Sequence, residues 1–342
     1  MRSFYSEVQA QHNPVEPHVF QGRALPPAET AARARRILEG LAAAGFEPPE
    51  PPAPIDEATL ELVHTPRYLR FLRDAHERWR VATGAAADAE ARPYVRPLPG
   101  AARREPTSVL AQLGWYSFDD DPILAGTWEA AAASVACAVA AADAVEAGAR
   151  AAYALCRPPG HHAGAECFGG YCYLNNAAIA AARLAARSHR VAVLDLDAHH
   201  GNGTQAIFWE RGDVVTISIH GDPDVHYPFF GGYADERGSG AGDGAHHNFP
   251  LPTGTDGDTY LGALDDALAT IAAAEPDAVV VSLGVDTDAA DGVFSLGLDD
   301  FRRIGAAIAR LGRPLVVVQE GGYGPEVLER DVAAVLTEIA SA

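Results

Sequence analysis

At 342 residues and 48% hydrophobic content, the chain is long enough for one large α/β domain or two small ones, and apolar enough for a sizeable core. Its formal net charge is −20 and all 26 basic residues are arginine, a field that repels nucleic-acid phosphates, argues against a nucleic-acid partner and attracts small cations. Four cysteines without a CxxC pair, no charge-free apolar run of about 18 residues and no apolar signal core at the amino terminus argue against a disulfide framework, a thiolate zinc site and a membrane partner, and predict a cytoplasmic protein.

In chain order, Ser3 to Tyr5 reads as an edge strand, followed by a polar, histidine-containing stretch up to residue 25 that suits a loop at the rim of a site. Pro26 to Gly45 reads as an amphipathic helix, with Pro27 early and Gly45 as its stop. After a proline-rich connector a helical stretch begins at Asp56, and Pro66 to Thr83 has the spacing of a packed surface helix. Periodicity weakens over 84–121, an inserted loop with aromatic residues at Trp115, Tyr116 and Phe118 beside Asp119, Asp120 and Asp121. An exposed aromatic patch there suits a dimer interface or a substrate entrance; a solvated loop with a few buried aromatics is the alternative. Gly126 to Ala149 is an alanine-rich helix. Strands then follow at 152–156, 191–196, 214–220, 278–284 and 314–320, with helices at 177–186, 258–274, 299–311 and 325–339. This alternation predicts a single α/β domain over 1–342, a three-layer αβα arrangement around a mostly parallel central sheet.

The densest chemistry lies in residues 190–205, RVAVLDLDAHHGNGTQ. Val191 to Leu196 is an apolar, β-branched run, and ligands of open α/β sheets bind beyond the carboxyl ends of the strands, where Asp195, Asp197, His199, His200 and Asn202 fall. Alternation along an extended segment sets 195, 197 and 199 on one face, so an Asp and a His two apart form half of a metal site. Three further strand ends bring reactive groups to the same edge: His161 and His162 in RPPGHHAG, Asp286 in VSLGVDTDAADG, and Tyr323 in VVVQEGGYG. Asp286 completes a facial Asp197, His199, Asp286 set with open positions, and Asp288 and Asp291 compete with it as ligands. One imidazole among oxygens suits a divalent Lewis acid, with Zn2+ as first expectation and Fe2+ or Co2+ also admitted. The tandem histidines are suited to general-base duty near neutrality, and the Tyr323 phenol to a developing oxyanion. The structural alternatives are a hydrogen-bonded turn for the Asp-His cluster and a GGY turn present only for its glycines.

RPPGHHAG, FGGYCYLNNAA, VLDLDAHHGNGTQ, SLGVDT and EGGYG stand in the order seen in the zinc-dependent histone deacetylase superfamily, which the chain resembles over essentially its whole length. GTWEAA at 126–131 and HGDP at 220–223 look most similar to the bacterial acetylpolyamine amidohydrolases of that superfamily. The resemblance implies an arginase/deacetylase-like fold and a metal held by Asp197, His199 and Asp286. It also implies His162 as general base, His161 as electrostatic partner or proton donor, and Tyr323 as the carbonyl-polarising group. Asp195 would stand behind His161, and Asn202 behind His162 where many members have Asp. A structural K+ would sit near Asp195, Asp197, His199, Ser218 and Ile219. Tyr171 and Tyr227 would wall the acyl tunnel, and the Gly170 carbonyl would hold the amide N–H. In the polyamine enzymes acidic residues of the long loop guard the entrance; here Leu110 occupies one such position, and the other falls to Asp120 or Asp121.

The function implied is metal-dependent deacetylation of a small cationic acetyl-amine such as an acetylpolyamine, by a homodimer assembled through 84–121. The alternative substrate is acetyl-lysine in peptides or proteins. A binuclear manganese ureohydrolase shares the DAH sequence but needs a carboxylate two residues beyond the His, where this chain has Gly201. A metal-stabilised binding protein without turnover is expected to lack the histidine pair or Tyr323, and both are present.

Overall fold

The computed structural model of the chain describes every residue except 21, 99, 101–103 and 188–189, so positions 99 and 101–103 of the expected insertion lie outside the described residues. The strands are β1 (Arg2–Phe4), β2 (His18–Phe20), β3 (Arg23–Leu25), β4 (Ala151–Ala154), β5 (Val191–Asp195), β6 (Val214–Gly221), β7 (His246–Leu251), β8 (Ala278–Leu283) and β9 (Leu315–Gln319). The helices are α1 (Ala32–Ala43), α2 (Glu57–Leu60), α3 (Pro66–Thr83), α4 (Val109–Trp115), α5 (Thr127–Glu146), α6 (Asn176–Ala185), α7 (Asn202–Phe208), α8 (Gly257–Ala274), α9 (Leu298–Ala309) and α10 (Pro325–Ser341).

Seven strands form one sheet in the order β1-β4-β9-β8-β5-β6-β7, with every pairing parallel. Buried on both faces, the inner strands are continuous apolar runs whose alternate residues feed two separate cores. Val191, Val193, Val280, Val316 and Val318 pack on one side with α3, α5 and α6. Ala192, Leu194, Val279, Val281 and Val317 pack on the other with α1, α8, α9 and α10. This is the three-layer αβα architecture that the alternating pattern predicts. Although α5 is long and apolar enough to cross a membrane by length and composition, most of it is buried against the sheet and α6.

The helix expected at Pro26 begins only at Ala32, and β3 pairs instead with β2 in an antiparallel hairpin. Consecutive prolines at 26 and 27 supply no N–H and bias the preceding residue away from helix, so the chain bends at 28–29 and turns at Ala31, whose N–H Asn13 Oδ1 accepts at 2.8 Å, before the helix begins. The 84–121 segment contains α4, and Trp115, Tyr116 and Phe118 do not form an exposed patch. Tyr116 is fully buried and stacks on Phe71 with ring centroids 4.6 Å apart, while Trp115 and Phe118 are half-buried. β7, unrecognised in the sequence, contains Pro250; it is the sheet's last strand, and an edge tolerates a residue that cannot donate to the ladder. All four cysteines are free thiols, with Cys167 half-buried and Cys137, Cys156 and Cys172 buried.

Candidate active site

β4, β9, β8 and β5 are consecutive in the sheet, so the four strand ends singled out in the sequence meet at one place. The delivery differs from simple alternation. β5 stops at Asp195, and residues 197–199 bend, held by Asp197 N donating to Asp195 Oδ1 (3.1 Å) and His199 N donating to Asp197 Oδ1 (2.9 Å). A turn built from its own carboxylates therefore aims Asp197 and His199.

Asp197, His199 and Asp286 bring one ligand atom each to within 4.8 Å of one another. His199 Nδ1 lies 3.1 Å from both Asp197 Oδ1 and Asp286 Oδ2, and both carboxylates are buried. Their outer oxygens are spoken for: Asp286 Oδ1 accepts from Ala198 N and Asp197 Oδ2 from Gly321 N, each at 2.8 Å. Glycine is required around this cradle, because a Cβ at Gly284 would lie 2.2 Å from Asp197 Oδ2 and one at Gly321 would lie 2.4 Å from Asp286 Oδ2. Burial opposes charge on His199, but the hydrogen bonds to the two Asp side chains outweigh it and raise its pKa to about 10. Two buried carboxylates around one imidazole thus call for a positive charge at their centre, and the donor set fits a divalent cation.

His161 and His162 stand beside the triad with ring centroids 4.0 Å apart. His161 Nδ1 donates to Asp195 Oδ2 (3.0 Å), with Nε2 3.8 Å from Asp197 Oδ1. Burial works against its charge, yet Asp195 and Asp197 override this and lift its pKa well above the ordinary range. His162 moves the other way: burial, reinforced by positive charge on His161 and His199, holds it well below. Its Nδ1 donates to Asn202 Oδ1 at 2.8 Å, which leaves Nε2 as an acceptor. The pair combines a charged and a neutral imidazole.

Above them lies a cavity of about 420 Å³ lined by His162, His199, Gly170, Tyr171, Tyr227 and Tyr323 at its base. Tyr227 stands edge-on to His162 (5.2 Å) and Tyr171 edge-on to Tyr323 (5.6 Å). Gly170 has φ +59°, and a Cβ there would lie 2.3 Å from the His162 ring; Tyr171 follows with φ +65°, a left-handed conformation that non-glycine residues rarely adopt. Asp121 Oδ2 accepts the Tyr171 N–H at 2.9 Å and so holds that turn. Asp119, Asp120 and Asp121 line the outer wall; Asp121 is buried, Asp120 is partly exposed, and burial raises the pKa of both. Leu110 is exposed on α4 and is not among the residues lining this cavity. Ser218 sits opposite Asp195 in the β5–β6 register, followed by the buried Ile219.

Several contributors were not singled out as site residues in the sequence. Phe118 stacks on Tyr227 (6.2 Å) and meets His162 edge-on (6.4 Å). Arg33, buried on α1, places its guanidinium 4.7 Å from the Tyr323 ring centroid and donates to the carbonyls of Gly322 (2.8 Å) and Glu320 (2.6 Å). Glu320 Oε2 accepts from Gly160 N (2.7 Å) and so ties the histidine loop to the tip of β9. The only sequence signal for Arg33 was a charge on the inner face of an amphipathic helix.

The histone deacetylase domain signature matches residues 27–339. The chain is 45% identical to acetylpolyamine amidohydrolase 1 of Pseudomonas aeruginosa, over 98% of both chains. It is also 45% identical to the acetylpolyamine amidohydrolase of Mycoplana ramosa, over 99% of this chain and all of that one. Among solved structures, acetylpolyamine aminohydrolase from Burkholderia pseudomallei superposes with a TM-score of 0.91 at 42% identity, covering 100% of this chain and 99% of that chain.

Proposed function

Because the chain belongs to the histone deacetylase domain family, we propose that it is an amidohydrolase that removes acetyl groups from acetylpolyamines or similar small cationic acetyl-amines. The observation that carries this reading is the convergence of the Asp197, His199, Asp286 triad, the His161/His162 pair and Tyr323 at the base of one cavity whose outer wall bears three aspartates. The catalytic unit is the whole chain, 1–342, with 84–121 bordering the entrance.

Asp197, His199 and Asp286 would hold a zinc ion, which when bound supplies Lewis acidity to the acetyl carbonyl and the attacking water. His162, neutral and with Nε2 free to accept, takes a proton from that water as its oxygen attacks the carbonyl carbon. His161, held positive by Asp195, stabilises the negative charge that builds beside it. Burial keeps the Tyr323 phenol protonated, so it donates a hydrogen bond to the carbonyl oxygen as that oxygen becomes an oxyanion, an interaction of the kind worth roughly 3–4 kcal/mol. The Gly170 carbonyl, which already accepts from Cys172 Sγ at 3.2 Å, retains a lone pair for the substrate N–H. The C–N bond then breaks as the nitrogen takes that proton from His162, and acetic acid and the free amine leave, ionising in water to acetate and ammonium. Tyr171 and Tyr227 flank the acyl group, and Asp120 faces the distal ammonium. Asp195, Asp197, His199, Ser218 and Ile219 would hold a structural potassium ion, since their carboxylates, hydroxyl and backbone carbonyls are oxygen donors of the type such an ion takes.

Free thiols and the burial of α5 accord with a cytoplasmic enzyme, and a net charge of −20 accords with a cationic substrate rather than nucleic acid. The decisive experiment compares kcat/KM for acetylputrescine, acetylspermidine and an acetyl-lysine peptide with zinc-reconstituted enzyme. A preference for the free polyamines of at least about tenfold, or 1.4 kcal/mol, is expected. Preference for the peptide would transfer the assignment to protein deacetylation.

A further inference from the structure

Asp288 and Asp291, the two carboxylates that compete with Asp286 in the sequence, lie outside the triad and belong to a turn that runs on from it. Asp288 is buried; it accepts from Ala290 N (2.8 Å) and from Arg330 Nη2 of α10 (2.6 Å), whose Nε is held by Asp331 (2.8 Å). Asp291 N donates to Asp288 O at 3.0 Å, closing the turn. The Asp291 side chain then leaves the turn on the side of the 320–324 segment, where Oδ2 accepts the Tyr323 N–H at 3.2 Å.

That segment needs external restraint. Tyr323 lies between two glycines, and Gly322 has φ +118°, a backbone region open chiefly to glycine. Gly321 is pinned by Asp197 through its N–H and by Val285 N through its carbonyl (3.1 Å), and Gly322 by Arg33 through its carbonyl. Among the described residues, the hydrogen bond to the N–H of Tyr323 itself comes from Asp291. Arg33 beneath the ring and Asp291 at the backbone therefore bracket the phenol from two different elements.

We propose that Asp291 is a positioning residue for Tyr323: fastened to α10 through Asp288 and Arg330, it holds the Tyr323 backbone so that the phenol faces the cavity. The inference rests on the deacetylase reading for its kinetic consequence, though not for its geometry. Removing the acceptor frees the peptide next to Gly322 and lets the phenol leave its place. The chemical step, which needs the donor only as negative charge develops on the carbonyl oxygen, suffers more than substrate binding does.

The test is a double-mutant cycle on acetylputrescine with metal-reconstituted enzyme: wild type, Asp291→Ala, Asp291→Asn, Tyr323→Phe and the Asp291→Ala/Tyr323→Phe pair. Asp291→Ala is expected to lower kcat by about tenfold to a hundredfold with KM changed less than about twofold, the size of effect a misplacement near 1 Å produces. Asp291→Asn, whose carbonyl oxygen still accepts, should recover most of kcat. In the Tyr323→Phe background, Asp291→Ala should cost nothing further. A wild-type kcat in Asp291→Ala, or the same loss in both backgrounds, overturns the proposal. Crystal structures of Asp291→Ala and Asp291→Asn decide the geometry independently of turnover: the phenol should be displaced in the first and in place in the second, and an unmoved Tyr323 in Asp291→Ala refutes the idea. Should Asp291→Ala fail to fold, Asp291→Ser, whose shorter side chain cannot span to Tyr323 N, replaces it in both measurements. A wild-type enzyme that releases no amine counts against the deacetylase reading and leaves the crystallographic comparison to judge Asp291 alone.

Discussion

Adjacent imidazoles, one charged and one neutral, are the feature on which the proposed chemistry turns, and besides burial and the neighbouring charges the group behind each ring differs. A carboxylate oxygen accepts from His161 Nδ1; an amide oxygen accepts from His162 Nδ1. Asn202→Asp would place a negative charge 2.8 Å from the base and favour its protonated form. A base works only when neutral, so a raised pKa means that activity is lost sooner as pH falls. The acid limb of kcat/KM should therefore move to higher pH in this variant, with a loss of about tenfold at the acid end relative to wild type. A superimposable profile would show that His162 is not the group titrating. These roles were partly legible in the sequence: His161, His162, Asn202 and the triad stand in recognisable strings. Asp291 was visible only as a surplus carboxylate, because its partner is a backbone N–H 32 positions on and its orientation depends on an arginine in the last helix.

Among the elements, those whose two faces are both covered were the easiest to read. β5, β8 and β9 are valine-rich and almost wholly apolar, and α3 begins at Pro66 and ends at Thr83 as its spacing predicts. Legibility failed where an element is short or depends on a partner far away in sequence: the three-residue strands of the β2–β3 hairpin, the edge strand β7 and the short α4. Composition left Tyr116 undecided between an exposed patch and a buried ring, and Phe71 on α3, which offers a ring for it to stack on, decides for burial. Tyr116→Ala should accordingly destabilise the fold by about 3–5 kcal/mol, the range for emptying a large aromatic site. Denaturant titration measures this, and a loss below about 1 kcal/mol would mean that 84–121 is not docked through this ring.

At the level of the molecule, the segment around α4 exposes Tyr94, Val95, Leu98 and Leu110. Apolar residues clustered on a chain of charge −20 are a natural contact for a second copy, and we expect a homodimer through this segment. Light scattering at micromolar concentration should give twice the 35.9 kDa chain mass, and Leu98→Glu together with Leu110→Glu should halve it; a wild-type mass of one chain excludes the dimer. The order of strands has a separate consequence in time. β9 is the last strand to be synthesised, yet it lies between β4 and β8, joining the wing that carries the histidine pair to the wing that carries the triad. Until it inserts, the two wings have no ladder in common, and Tyr323 arrives with it. A chain still emerging from the ribosome thus holds the histidine pair, the carboxylate–imidazole triad and the oxyanion donor apart, and becomes an enzyme only when its final strand closes the sheet.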